Sequence, residues 1–362
     1  MIAPAGRVFG QTVDFGAPLR VRLFAALALE KLTVNGVTID AHAATVTNAG
    51  GTTSLGTGVL EFTGTPSLEV VATAADGSAT ARTYSGVVFV ALRQSELLVV
   101  NQVDVETYVA SVMSAEVSPG WALESLRAQA MAVRTYAARS RLSNALREYD
   151  LKDDTSSQVY RGIGGVASSL VSAARDTAGR IVWFGGEPAS VFYSSSCGGH
   201  TASSEELTGL AAPSYLLGIS DVDRSGHAYC GGAPYFRWTN SVGADAMARV
   251  VGLPSNELTA IQVTERWPDG RVKSVLASGS LVSVSMSGRD FYQRALGILG
   301  YKVIPSAMFD VNRIGTDFQL EGHGVGHGVG MCQWGARGRA QAGITAEQIL
   351  QAYFPGTTIQ AV

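Results

Sequence analysis

Leu123, Leu126, Ala130, Val133 and Ala137 fall three and four residues apart, a spacing that puts them on one face of a helix. Upstream stands Ser118-Pro119-Gly120-Trp121. Ser118 suits an N-cap, and Pro119 suits the first helical position, where its missing N–H would have no partner anyway. The pattern therefore predicts a long amphipathic helix starting at 119. Arg127, Arg134 and Arg141 form a second stripe on it, read mainly as a solvated face. Glu116 lies just ahead of this helix.

Elsewhere the pattern is short and alternating. Residues 1–90 break into pieces such as RVFGQTV, LRVRLFAAL, LTVNGVTI and SGVVFVAL, with Asn35-Gly36 and Asp76-Gly77 as hairpin-turn dipeptides. LLVVNQVDV at 97–105 continues in strand texture and leads toward Glu116. A helix is expected over 168–178, ended by Gly179. A hairpin follows, its second strand at 189–194. Residues 241–252 suggest a short helix. Strands are expected at 259–266, 271–276 and 280–286, the first two joined by Asp269-Gly270. Helices are expected at 333–342 and 345–353, the last with a Thr-x-x-Gln cap. The fold class expected is α+β: β-rich, with the long amphipathic helix packed on antiparallel sheet. An all-β module at 1–90, a scaffold or adaptor, would precede a second domain at 91–362.

Composition narrows the function. Charged residues make up 16% of 362 and the formal net charge is −3, which argues against electrostatic capture of nucleic acid. No run of about eighteen apolar residues suggests a membrane span. The start, MIAPAGRVFGQ, has no secretory pattern, and the reading favoured is an exported protein whose signal segment is absent from this sequence.

Three places concentrate chemistry. Glu116 is either a helix-start acid stabilised by the helix dipole or a half-buried proton donor beside Met113 and Trp121. Cys197-Gly-Gly-His200 and His227-Ala-Tyr-Cys230 offer two sulfurs and two imidazoles, a set fit for a structural zinc ion. A Cys197–Cys230 disulfide is the alternative. His323 and His327 are four apart in a glycine-rich stretch that no helix would tolerate. That stretch reads as a site-forming loop with one orienting His, or as a tight structural turn with a buried one.

Three long stretches now carry a resemblance: AEVSPGWALESLRAQAMAVRTYAARS, VFYSSSCGGHTASSEE and GHGVGMCQWGARGRAQAGITAEQILQAYFPGT. In this order they resemble the SpoIID/LytB family, the stage II sporulation proteins D and amidase enhancers, over roughly 85–360. The resemblance implies a protein acting on the peptidoglycan glycan strands of the cell wall or periplasm. In the sporulation members this is a lytic transglycosylase with Glu116 as the catalytic acid. It implies substrate binding by residues among Trp121, Arg127, Arg134, His323, His327, Gln333 and Trp334. Val325 stands where relatives often carry an aromatic. Zinc at Cys197, His200, His227 and Cys230 would fit a metal found in some members. A non-enzymatic activator of an N-acetylmuramoyl-L-alanine amidase is the other expectation.

Overall fold

The computed structural model describes residues 14–362. The expected strand RVFGQTV lies outside them. The fold is mixed α+β, and the chain divides into two compact units. The first is built from residues up to 121, from 129–190 and from 359–362; the second from 122–128 and 191–358.

The first unit opens with eight strands: β1 (Leu19–Arg22), β2 (Leu29–Val34), β3 (Val37–Asp40), β4 (Thr45–Asn48), β5 (Gly51–Ser54), β6 (Val59–Ala74), β7 (Ala79–Arg93) and β8 (Glu96–Val103). Next come helix α1 (Val105–Glu116), helix α2 (Leu123–Ser143), of which residues 129–143 belong to this unit, strand β9 (Leu151–Lys152), helix α3 (Ser168–Asp176), and the hairpin β10 (Arg180–Phe184) and β11 (Glu187–Pro188). A nine-stranded sheet runs β5-β4-β3-β2-β6-β7-β8-β1-β9. All its pairings are antiparallel except that of β1 with β9.

Its hairpins follow from turn chemistry. Asn35 and Gly36 both take positive φ, 46° and 83°, so β2 folds straight back on β3. The boundary expected near residue 90 falls inside β7, which is paired along both edges, so the sheet has no break there.

α1 was not foreseen as a helix. Asp104 caps it, accepting from the Thr107 N–H at 2.9 Å, and Tyr108, Val109, Val112 and Met113 are fully buried. Its phenol ends on Gln158 at 3.0 Å for Tyr108, while Tyr160 donates to Asn101 at 2.8 Å.

α2 begins at Leu123 rather than 119. The Ser118 carbonyl instead accepts from the Trp121 N–H at 3.1 Å, closing a separate turn. Leu126, Ala130, Val133 and Ala137 are buried as the spacing requires, but Leu123 is 44% exposed. A residue in the first turn has only half a helix beneath it and escapes the face it nominally shares.

The second unit holds β12 (Tyr193–Ser194), α4 (Ser204–Thr208), β13 (Arg237–Gly243), α5 (Ala244–Val251), β14 (Leu258–Arg266), β15 (Val272–Gly279) and β16 (Ser283–Ser287). These are followed by α6 (Gly288–Leu299), β17 (Phe309–Ile314), β18 (Asp317–His323), β19 (Met331–Cys332), α7 (Gln333–Gln341) and α8 (Ala346–Tyr353). Sheets β13-β18-β17 and β14-β15-β16 enclose a core with α5 and α6, centred on Trp238, Met247, Val275, Phe291, Phe309 and Phe318. The 189–194 segment does not complete the β10 hairpin. Tyr193 and Ser194 pair in parallel with Met331 and Cys332. The last strand, β20 (Thr358–Ala361), lies beside β10. Among the described residues no helix is long and apolar enough to cross a membrane.

Candidate functional site

In the first unit, Glu116 is the last residue of α1, not an acid at a helix start. It is half-buried, and Val117 behind it closes the helix by donating to the Met113 carbonyl at 3.0 Å. The positive end of a helix dipole therefore cannot be what holds a carboxyl here. The 118–121 turn that follows is fixed by Ser169, whose hydroxyl donates to the Pro119 carbonyl at 2.9 Å, and it leaves Trp121 half-buried.

The arginine stripe is not a solvated face. Arg134 is 2% exposed; it pairs with Glu106 through Nε at 2.9 Å and through Nη2, and donates to the carbonyls of Ala174 (2.9 Å) and Arg180 (3.1 Å). It ties α1, α3 and β10 together, and each nitrogen of the guanidinium is engaged in these bonds. Arg141 is likewise buried, donating to the Asp14 and Pro18 carbonyls at 2.7 Å each. Arg127, in the second unit, is part-exposed and pairs with Glu124 at 2.6 Å.

The glycine-rich loop of the second unit is a zipper. Gly324, Gly326, Gly328 and Gly330 all have positive φ, alternating with residues that bond outward. Val325 and Ser196 exchange backbone bonds at 2.8 and 3.1 Å, and Met331 donates to the Phe192 carbonyl at 2.9 Å. A Cβ on Gly330 would lie 2.2 Å from the Phe192 oxygen, so only glycine permits that approach.

His327 accepts from the Val329 N–H through Nδ1 at 3.0 Å and meets Phe192 edge-on. Though its ring edge keeps some exposure, it is packed deeply: burial first, then the Arg271 charge, pushes its pKa down to about 4. It is neutral at pH 7. His323 ends β18, edge-on to Phe236, and burial also lowers its pKa. It lines an open groove of ≈ 490 Å³ together with His200, His227, Arg237 and Asp269.

A second cleft of ≈ 220 Å³ is walled by Tyr235, Tyr301, Trp334, Pro305, Val325 and Ser195. The Trp334 backbone N–H donates to the Ser195 carbonyl at 3.0 Å, and the Arg337 guanidinium lies 4.7 Å from the Trp334 ring centroid. Gln333, beside it, is only 5% exposed.

Cysteines 197 and 230 do come together, but not with the histidines. The cluster is Cys197, Cys230, Cys332 and Asp221, all buried, their ligand atoms within 4.8 Å of one another. His200 Nδ1 bonds the Thr201 carbonyl at 2.8 Å, and His227 is an exposed side chain near Asp223. Such a donor set can bind a metal ion. The two sulfurs of Cys197 and Cys230 stand 3.7 Å apart and both residues are free, so they form no disulfide. Three thiols in contact cannot all ionise. Hydrogen bonds from Cys197 and then Cys332 lower the Cys230 pKa, while those of Cys197 and Cys332 are raised.

Two acids and an arginine were missed. Arg271, 2% exposed, pairs with Asp269 and donates to the carbonyls of Cys197 (3.0 Å) and His200 (3.1 Å), bracing the Cys-Gly-Gly-His loop. Glu206 closes the capping box of α4; burial, then the Asp269 charge, raises its pKa to about 7. Asp269 was visible only as a turn residue, and nothing in the spacing marked Glu206.

The family model for stage II sporulation protein matches residues 93–184, a span that includes Glu116 and Trp121. An uncharacterized protein of Brachyspira hyodysenteriae is 32% identical over 76% of this chain and 72% of its own length. Stage II sporulation protein D of Bacillus subtilis is 28% identical over 72% of this chain and 75% of its own. The amidase enhancer of the same organism is 27% identical over 68% of this chain but 39% of its own length. With the motif order, the helix that ends on Glu116 and these relatives together, the chain belongs to the SpoIID/LytB family.

Proposed function

We propose that this protein is a lytic transglycosylase of the cell wall, exported, with Glu116 as its single acid and base. The observation that carries the reading is the place of Glu116: half-buried at the carbonyl end of α1, where a carboxylate gains nothing for the helix. The helix dipole does not call for a carboxyl at this end, so helix capping is not what explains the residue, and a half-buried acid beside Trp121 is placed as a proton donor would be.

The chemistry needs only one carboxyl. Its proton goes to the oxygen linking N-acetylmuramic acid to N-acetylglucosamine, and the bond from the muramic C1 breaks as an oxocarbenium-like state develops. The carboxylate left behind takes the proton of the muramic C6 hydroxyl, whose oxygen bonds C1 and closes a 1,6-anhydro ring. An intramolecular nucleophile replaces the positioned water that a hydrolase would require. In the first unit Trp121 is the proposed substrate contact; Arg127, His323 and Trp334 are proposed as saccharide-binding residues of the second unit in its own right. The aromatic walls formed by Tyr235, Tyr301 and Trp334 suit the apolar faces of a sugar chain. The zinc expected from the resemblance has only a structural place in this scheme, because four protein donors leave no open position.

Purified glycan strands, stripped of stem peptides by an amidase, are the test substrate. Mass spectrometry should find 1,6-anhydromuramyl ends with the wild type and none with Glu116→Gln. Equal product profiles would sink the assignment.

A second reading is favoured by one relative, the amidase enhancer. Here the chain binds the wall and stimulates an N-acetylmuramoyl-L-alanine amidase without cutting glycan. Adding wild type or Glu116→Gln to an amidase on intact sacculi separates the two. Equal stimulation by both proteins, with no anhydro ends, favours this second reading.

A further inference from the structure

We infer that Ser169 is a positioning residue for Glu116: from the first turn of α3, its hydroxyl clamps the turn that follows the acid and so fixes where the carboxyl sits. The role rests on the reading of Glu116 as the acid and supplies what holds that acid in place.

The end of a helix is its least constrained part. Glu116 is the last residue of α1, and Val117 behind it is already extended, at φ −135° and ψ 153°. A carboxyl there would swing with the chain unless something outside the helix held that chain. Two serine hydroxyls do so, one on each side of Glu116 in sequence. Ahead of it, buried Ser111 donates to the Gly162 carbonyl at 2.5 Å. Gly162 is itself packed on β7: a Cβ there would meet the Thr83 oxygen at 2.1 Å, and Ile163 donates to that oxygen at 2.7 Å. Beyond Glu116, the Pro119 carbonyl accepts the Ser169 hydroxyl at 2.9 Å.

α3 can bear this load because its other end is tied as well. Arg134 pairs with Glu106 at the start of α1 and donates to the Ala174 carbonyl in the last turn of α3. The Gly179 N–H, just past α3, reaches Glu106 Oε1 at 3.2 Å. α3 therefore lies antiparallel to α1 as a splint strapped at both ends.

The serine does not serve its own helix. Ala167 holds the N-cap position of α3 and makes no side-chain bond to the N–H groups exposed there. Ser169 lies close by with a hydroxyl suited to such bonds, yet it is turned across to Pro119. Proline has no N–H, so the carbonyl is the backbone group by which that residue can be held. Without the clamp the 118–121 turn loosens and the carboxyl drifts. A displacement of about 1 Å at a reacting group can cost about 100-fold in rate.

Anhydro-end production on amidase-stripped glycan strands should be measured for the wild type, Ser169→Ala, Ser169→Thr and Ser168→Ala, with amide exchange at Trp121 read beside it. The Trp121 N–H bonds the Ser118 carbonyl at 3.1 Å, so its exchange reports the turn without any need for activity. In Ser169→Ala, kcat should fall by about 10- to 100-fold with KM within about twofold. Exchange at Trp121 should quicken while the thermal midpoint holds. Ser169→Thr keeps a hydroxyl and should recover most of the loss. Ser168→Ala should match the wild type in both readouts. Wild-type kcat and exchange in Ser169→Ala overturn the inference. So does a loss shared equally by the threonine variant, or one that merely follows a lowered midpoint. A wild type that makes no anhydro ends fails differently: it removes Glu116 as the acid, and the positioning role with it, whatever the exchange at Trp121 shows.

Discussion

Arg339 grips a single oxygen of Asp221 with two donors, Nε at 3.0 Å and Nη2 at 2.9 Å, and its guanidinium lies between the rings of Tyr229 and Tyr353 at 4.4 and 5.1 Å. Asp221 is fully buried, so this fork is the charge that makes its burial tolerable. Arg339→Gln should cost about 3–5 kcal/mol in urea unfolding, by stranding the carboxylate. Arg339→Lys should recover only part, because an ammonium has no planar fork.

Arg134 and Glu106 form the matching pair in the first unit. Arg134→Met should destabilise by about 3–5 kcal/mol, and the double change with Glu106→Leu should restore much of it. If the same variant left stability intact but raised KM for glycan strands, Arg134 would belong to the substrate site after all.

Glu116→Gln should abolish production of anhydro ends while the thermal midpoint stays level or rises slightly. Removing charge from the carbonyl end of a helix does not weaken the helix. A variant lost to unfolding would mark Glu116 as structural.

Two buried groups give opposed pH slopes. Glu206 has its pKa raised to about 7, so the folded state holds its proton longer than the unfolded chain does. Its contribution is complete below the unfolded carboxylate pKa, about 4.3, and is lost as pH climbs through 7. His327 has its pKa lowered to about 4, so its contribution is complete above about 6.5 and is lost as pH falls through 4. Urea midpoints against pH should flatten on the alkaline side in Glu206→Gln and on the acid side in His327→Gln.

Gly330→Ala should cost more than about 1 kcal/mol, from positive φ alone. The added clash with the Phe192 oxygen should open the β12–β19 pairing, read as faster amide exchange at Met331.

The turns and the long helix were legible because their chemistry is local. Asn35-Gly36 demands positive φ in the turn itself, and Thr345 with Gln348 forms its capping box within one turn of helix. α1 was missed because Val105, Val109 and Val112 look like strand residues, although Val105, Tyr108, Val109, Val112 and Met113 have helical spacing. Ser118 misled in the opposite way, since a serine before proline caps a helix or closes a turn, and here it closes a turn. The thiol site was half legible. Spacing found Cys197 and Cys230, but pairing each with the nearest His is a one-dimensional guess. Asp221 and Cys332 join them only because the 324–331 zipper brings the last motif against the Cys197 loop. Arg134 and Asp269 look like surface residues in sequence, and only the packing of α3 and of the Cys197 loop buries them.

β20 imposes an order of synthesis. The strand it pairs with, β10, leaves the ribosome long before residues 358–361 are made. Until then one edge of β10 stands open, a template for unwanted pairing. The first unit therefore cannot finish folding while the second is still being made. A nonsense or frameshift lesion just ahead of residue 358 would spare every candidate site residue yet leave that edge unsealed, and would first be felt as aggregation of the nascent chain.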